Sequence, residues 1–311
     1  MSDERASLTR SAARASIAAA LFLAALKLWA VWQTSSTAML GSLADTSLDL
    51  IASIATLVGV SVAAHPADEK HRFGHGKAEA LAAIFQVILI ALSAAAIGFR
   101  AILRLVEGGE TQGAEHGIAV SVIAIGVTFA LIAWQRHVVR RTGSIAIQTD
   151  SVHYQSDLLL NLAVIAALVI DQYLGFAQAD PLFGLAIAAW LLWGAWRSSR
   201  QAIDQLMDRE WPQEKRQAFI QRVASHSQIS HMHDLRTRSA GGQDLAQFHV
   251  DLPGAMTVEA AHDIIHRLEE DLQSAFPDTE VFIHVDPQGH VDDPGNDLAE
   301  ADEFKALKSG R

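Results

Sequence analysis

Apolar residues fill the first two thirds of the chain in long runs, interrupted by short polar stretches. Runs long enough to approach a hydrocarbon core of roughly 30 Å cover residues 15–32, 38–63, 80–103, 118–134, 145–170 and 181–196. They predict six membrane-spanning helices, the fourth and sixth on the short side. After Trp196 the pattern changes. Pro212 opens a helix over 213–225, and strands over 233–238 and 245–252 flank the turn pair Gly241 and Gly242. Thr257 starts a helix that runs through 276, and 279–286 alternates as a last strand. The fold class expected is therefore an all-α six-helix membrane domain, 1–205, followed by a small ferredoxin-like α/β domain of order αββαβ, 206–287. The acidic segment 288–311 is predicted to be a disordered tail.

Two of the apolar runs carry a polar face. In the second, Ser42, Asp45, Asp49, Ser53 and Thr56 recur every three or four residues and form one stripe on a helix. In the fifth, Asp150, His153, Asp157 and Asn161 do the same, with His153 and Asp157 one turn apart. An ionised carboxylate near the bilayer centre costs on the order of 3 kcal/mol even on a lenient insertion scale. Several such anions, with no basic residue on either stripe, need protons or a cation. Turned toward each other, the stripes offer Asp45, Asp49, His153 and Asp157 as a four-coordinate site of the kind Zn²⁺ accepts. Taken singly, each residue is as readily a helix-end or interhelical polar contact; the pairing of two stripes is what points to a cation pathway.

Composition agrees with a membrane part: 50% of residues are hydrophobic and 19% charged, which is more apolar than a soluble chain of this length. The net charge is −11, and its acidic excess lies after residue 200, where eight of the fourteen histidines also fall. Such a segment suits a cationic ligand and repels phosphates, which argues against nucleic acid as a partner. With no cysteine, imidazole and carboxylate are the strong metal donors left, against a Cu(I) or iron–sulfur protein. Nothing calls for an organic cofactor. Arg5, Arg10 and Arg14 precede the first run, Lys70, Arg72 and Lys77 follow the second, and Arg136, Arg140 and Arg141 follow the fourth, whereas 33–37 and 171–180 have no basic residue. By the positive-inside rule both termini are expected in the cytoplasm. Arg100 and Arg104 are exceptions, read as snorkelling to the headgroups.

The loop after the second run holds Asp68, His71 and His75, spaced to close on one ion, with Gly74 and Gly76 giving the chain freedom to turn. A solvated charged loop is the plain alternative. In the strand around His249, the apolar Ala246, Phe248, Val250 and Leu252 face one side and Gln247, His249 and Asp251 the other. In the last strand Val281, Ile283 and Val285 are core candidates, and His284 and Asp286 share the opposite face. Asp45-x3-Asp49, the stretch from Phe73 to Glu79 (Phe-Gly-His-Gly-Lys-Ala-Glu) and His153-Tyr-Gln-Ser-Asp157, in this order, resemble the cation diffusion facilitator family, and within it the bacterial zinc/proton antiporters. The resemblance covers about Arg10 to Pro287 and implies a homodimer in the bacterial inner membrane with a metallochaperone-like cytoplasmic domain. It implies a transport site at Asp45, Asp49, His153 and Asp157 and a loop site at Asp68, His71 and His75. It further implies a binuclear zinc site at the dimer interface from His233, His249, His262, His284 and Asp286, and a dimer contact between Lys77 and Asp208. His231 and His266 depart from that pattern and are expected exposed; His226 and His290 read as solvated.

Metal ligands must be deprotonated, so binding Zn²⁺ expels protons and protonation expels Zn²⁺. This is the chemistry of proton antiport by alternating access, with His153 as the natural proton carrier. Two other classes fit parts of the pattern. A membrane-embedded metallohydrolase also uses carboxylates and histidine on facing helices, but needs a general base such as the Glu of His-Glu-x-x-His, which neither stripe has. A membrane-anchored metal sensor needs one span, not six. The expectation is a secondary transporter of a divalent transition metal, not an enzyme.

Overall fold

A computed structural model describes residues 2–34, 37–107, 118–174, 178–289 and 302–309. The side chain of Ser42, and all of His290, lie outside that description. The chain separates into two units, Met1–Ile203 and Asp204–Arg311.

The first unit is built from α1 (Ser2–Thr34), α2 (Thr37–Ala63), α3 (Ala78–Glu107), α4 (Ile118–Thr142), α5 (Ile145–Leu174) and α6 (Ala179–Leu206). Among the described residues, all of these but α5 are long and apolar enough to cross a membrane on length and composition. The helices outrun the apolar runs that predicted them. α4 and α6, read as short, contain 25 and 28 residues, about 38 and 42 Å at the α-helical rise. Each continues past its apolar part into a charged end, Gln135 to Thr142 in α4 and Arg197 to Leu206 in α6. There most of the charged side chains reach water while the backbone stays hydrogen-bonded to itself.

Small residues let the helices approach. Ala12, Ala13, Ala80, Ala83 and Ala146 are fully buried, and a Cβ added to Gly59 would lie 2.3 Å from the Cβ of Ala82. α2 and α3 therefore meet almost backbone to backbone, as membrane helices do when packing rather than water drives them together. Large apolar side chains point outward instead. Phe22, Trp29, Trp32, Leu92, Phe99 and Phe129 are more than half exposed, a surface that lipid covers and water would not tolerate.

The second unit contains α7 (Gln213–Ala224), β1 (Met232–Ala240), β2 (Gln243–Leu252), α8 (Val258–Ala275), β3 (Thr279–Pro287) and α9 (Glu303–Ser309). The sheet order is β1-β2-β3. β1 and β2 are antiparallel around Gly241 and Gly242, whose φ values of 61° and 106° suit a glycine hairpin turn. β2 and β3 are parallel and are connected through α8, whose first turn is capped by Thr257 Oγ1 accepting from the N–H of Ala260 at 3.2 Å. Ala246, Phe248, Val250 and Leu252 are buried against Phe219, Val223, Leu268 and Leu272, so the alternation read for β2 holds. β3 departs from its pattern at one position. Val281 and Ile283 pack on the core, but Val285 is 36% exposed, because it lines an open pocket beside α8.

The tail needs a correction. Residues 290–301 lie outside the description, but 303–309, expected to be disordered, form α9. Phe304 and Leu307 pack on the core of the α/β domain, and Glu303, 4% exposed, pairs with Arg216. Asp302 Oδ1 accepts from the N–H groups of Phe304 (3.1 Å) and Lys305 (3.3 Å) and so caps the helix. Acidic composition hid a local signal: a capping aspartate followed by two apolar residues three apart.

Candidate metal centres

α2 and α5 turn their polar faces toward each other. His153 Nε2 lies 2.7 Å from Asp49 Oδ1, and ligand atoms of Asp49, His153 and Asp157 all lie within 4.8 Å of one another. The His153 and Asp49 side chains are 9% and 15% exposed. Donor atoms around a tetrahedral ion with bonds near 2.1 Å are about 3.4 Å apart, so these three groups need little adjustment to bind a common cation. Asp45, one turn before Asp49, is exposed and is not among the three. Asn161 donates to the backbone oxygen of Asp157 at 2.7 Å and so leaves the Asp157 carboxylate to the site.

Asp150, Ser53 and Thr56 of the two stripes serve the packing. Asp150, fully buried, accepts from Ser16 Oγ (2.6 Å), Gln86 Nε2 (2.9 Å) and Gln135 Nε2 (2.8 Å). One carboxylate thus joins α5 to α1, α3 and α4. Thr56 accepts from Gln86 at 2.5 Å, and Ser53 shares a 2.9 Å hydrogen bond with Tyr154. Lys27 of α1 donates to Thr46 at 2.5 Å, which places a cation one helix away from the acidic stripe. Gln86 and Gln135 were missed in the sequence. Each is a lone amide near the apolar part of its helix, and that isolation was the available signal.

In the loop, Asp68 Oδ1 accepts from the N–H groups of His71 (2.6 Å) and Lys70 (2.8 Å). The His71 backbone bond, foremost among several contacts, holds the Asp68 carboxyl below the usual carboxylate range. His75 Nε2 lies 3.4 Å from Asp68 Oδ2 and 3.1 Å from His71 Nδ1. Its Nδ1 lies 3.2 Å from the carbonyl of Pro66. Donation from Nδ1 to that carbonyl leaves Nε2 free to bind a cation. Gly74, at φ 76°, allows the turn that brings the three together.

In the α/β domain the strand register lines up three histidines. His233 pairs with His249 across β1 and β2, and His249 with His284 across β2 and β3. Asp286, 3% exposed, sits among them: His249 Nδ1 is 2.8 Å from Oδ2, His284 Nε2 3.3 Å from Oδ1 and His233 Nε2 3.6 Å from Oδ2. His262, on α8, is not drawn into this group. It stacks on His266 with ring centroids 6.0 Å apart and lines, with Asp286, a pocket of about 390 Å³. His266 is exposed, as expected, beside Glu270. Two expectations need correction. His226 is held 3.0 Å from Asp271 rather than solvated. His231 has a side chain only 28% exposed, wedged between Asp251 and Asp302, because the strand edge before β1 is covered by the docked tail. Lys77 belongs to the first unit and Asp208 to the second; Asp208 accepts from Arg238 at 3.4 Å.

A carboxylate–imidazole cluster between two membrane helices, in a chain with a histidine-rich α/β domain, defines a class: membrane proteins that handle divalent cations. Comparison with known families narrows it. Residues 13–207 match the model of the cation efflux transmembrane domain, and residues 211–288 that of the cation efflux protein cytoplasmic domain. The chain belongs to this family, the cation diffusion facilitators, and is a cation efflux transporter, not an enzyme. It is 39% identical over 287 residues to the cation-efflux pump FieF of Serratia proteamaculans, covering 92% of this chain and 95% of that one. It is 40% identical over 285 residues to the cation-efflux pump FieF of Klebsiella pneumoniae, covering 91% and 95%. A solved zinc form of CzrB is 37% identical and covers 28% of this chain and 99% of its own, with a TM-score of 0.24.

Proposed function

We propose that the exported cation is Zn²⁺, that it is carried between Asp49, His153 and Asp157 with Asp45 as the fourth ligand, and that protons move the other way. What supports this most is the 2.7 Å contact between His153 Nε2 and Asp49 Oδ1. A proton bridges these two atoms where an arriving ion would bind both. Loading the site therefore displaces that proton, and its return favours release. A nitrogen donor favours Zn²⁺ and Cd²⁺ over the harder Mn²⁺ and Mg²⁺. Alternating access follows from placing the ligands on two helices, because a shift of one against the other opens the site to either side.

The protein acts in the bacterial inner membrane with both termini in the cytoplasm, and as a homodimer, since the cytoplasmic domain is a dimerisation module of the family. His249, His284 and Asp286 offer the nitrogen and carboxylate donors that a resident zinc requires, with His233 beside them, its Nε2 toward Asp286, and such an ion would reinforce the dimer. Asp68, His71 and His75 form a loop site that recruits the cargo. Vesicles reconstituted with the purified protein test the transport reading. An inward proton gradient is expected to drive Zn²⁺ outward, and His153→Ala and Asp49→Ala are expected to abolish the flux. Zinc flux indifferent to the proton gradient would overturn the antiport reading.

A further inference from the structure

Beside the histidine row lies a second group that the family resemblance does not contain. His231 precedes β1, His233 is its second residue, and Asp251 stands near the end of β2. Their ligand atoms lie within 4.8 Å of one another. His231 Nδ1 is 3.4 Å from Asp251 Oδ2, and His233 Nδ1 is 3.8 Å from Asp251 Oδ1. The two imidazoles are 5.1 Å apart, centroid to centroid.

These spacings are too long for hydrogen bonds and close to the roughly 3.4 Å that separates donors around a tetrahedral ion. Nor are the atoms satisfied in another way. His231 Nδ1, His233 Nδ1 and Asp251 Oδ1 are each buried, and among the described residues none has a hydrogen-bond partner. Buried polar atoms are almost always paired. Three such unpaired atoms on clustered side chains, two of them imidazole nitrogens and one a carboxylate oxygen, make up the donor set of an ion-binding site.

The back of His231 supplies a second observation. Its Nε2 lies 3.4 Å from Asp302 Oδ2, the residue whose other oxygen caps α9. A histidine that binds a metal through one ring nitrogen typically donates its other N–H to a carboxylate, which orients the ring. Asp302 stands in that position, beyond residue 288 where the match to the family's cytoplasmic domain ends.

We propose that His231 Nδ1, His233 Nδ1 and Asp251 bind a divalent cation of the zinc class, with water as fourth ligand, and that this site latches α9 onto the α/β domain through Asp302. An ion on Nδ1 fixes the His231 proton on Nε2 and adds positive charge to the ring that faces the Asp302 carboxylate 3.4 Å away. Binding of the ion and docking of α9 therefore strengthen each other by the same factor. Without the ion α9 keeps only its packing through Phe304 and Leu307 and the Arg216–Glu303 pair. The site lies wholly in the second unit and does not depend on which ion is transported.

The test uses the full-length protein in detergent, with Zn²⁺ as probe. Amide hydrogen exchange of the peptide covering 302–309 is followed with and without the ion, alongside zinc content by elemental analysis. Zinc is expected to slow exchange in α9 several-fold. His231→Ala should lose one bound ion per chain together with the slowing. Asp302→Asn should keep the ion but lose most of the slowing. His249→Ala, which disables the neighbouring group around Asp286, should keep the slowing. Exchange in α8 reports whether each variant is folded, and His231→Gln replaces His231→Ala if that variant is not. Zinc content and α9 protection unchanged by loss of the imidazole, or no effect of zinc on α9 in the unaltered protein, would overturn the proposal. Loss of proton-coupled flux with the α9 response intact would count against the transport reading alone.

Discussion

Asp150 shares a stripe with His153, yet the structure uses it as a joint between helices, and the two roles predict opposite outcomes when it is replaced. In Asp150→Ala three donors lose their common acceptor: Ser16 Oγ, Gln86 Nε2 and Gln135 Nε2. A hydrogen bond to a charged acceptor contributes about 1.5–3 kcal/mol, which would suggest about 6 kcal/mol in all. Each donor keeps a second partner, however: Ala12 O for Ser16 (3.1 Å), Thr56 for Gln86 (2.5 Å) and Ser16 for Gln135 (3.0 Å). The expected loss is therefore nearer 3–4 kcal/mol. Asp150→Asn should cost much less. Gln86 Oε1 and Gln135 Oε1 are buried with no partner among the described residues, so a flipped amide can accept from the new Asn while its own nitrogen turns away. Equilibrium unfolding in detergent measures the order, unaltered protein above Asn above Ala, and calorimetric titration with Zn²⁺ at a temperature where all three are folded should give matching affinities. If Asp150→Ala melts like the unaltered protein but no longer binds Zn²⁺ in the membrane unit, then Asp150 is a ligand and the joint is a misreading.

Gly59→Ala is expected to destabilise the first unit by about 1–3 kcal/mol, since the new Cβ falls 2.3 Å from that of Ala82. Adding Ala82→Gly should recover most of that loss in thermal melts, and failure to recover would mean the contact is not what limits the approach of α2 and α3. In the second unit, Asp271 is held below the usual carboxylate pKa by its hydrogen bond to Arg222 first and by His226 next. A carboxyl depressed in the folded state stabilises above its unfolded pKa, near 3.8, and the gain is lost as the pH falls through the folded value. Asp271→Asn should therefore cost under about 1 kcal/mol at neutral pH, given how exposed the pair is. The difference from the unaltered protein should shrink on acidification below the unfolded value; a gap that widens there would contradict the assignment. Finally, His153→Asp is expected to weaken discrimination between Zn²⁺ and Mn²⁺ and to alter the dependence of flux on the proton gradient. Unchanged competition between the two ions in vesicles would refute the role given to the imidazole.

Six helices, the αββαβ order and most ligand candidates were legible in the chain because each rests on a local period. Apolar length marks a span, a three-to-four repeat marks a helix face, and a two-residue repeat marks a strand face. What escaped depends on distant partners. Periodicity placed Asp150 on the same face as His153, but only the positions of Gln86 and Gln135 on other helices show that it joins them. Asp251 was seen to share a face with His249, and nothing local said that His231, before the strand begins, would turn back onto it. α9 was lost for a related reason. Its acidic surroundings outweighed a seven-residue amphipathic segment whose stability comes from the surface it lands on, not from its own propensity.

The three kinds of site differ in how rigidly the backbone holds their donors, and this bears on what each can do with an ion. His233, His249 and His284 sit on neighbouring strands whose ladders fix their spacing; to part them would break backbone hydrogen bonds across the sheet. An ion bound there would leave slowly and brace the sheet. Asp68, His71 and His75 lie on one short loop, with Asp68 and His71 more than half exposed and Asp68 organised mainly by backbone N–H groups, which suits quick exchange with solution. Asp49 and Asp157 belong to two helices whose backbones share no ladder, so their separation is set by side-chain packing and by what lies between them. A slide of one helix by about an ångström is enough to exceed the 2.0–2.2 Å reach of a zinc bond. The same metal-binding chemistry would thus serve as brace, capture point or transport site according to the elements that carry it, and among these sites the interhelical one is both shielded from water and free to part by a helix shift.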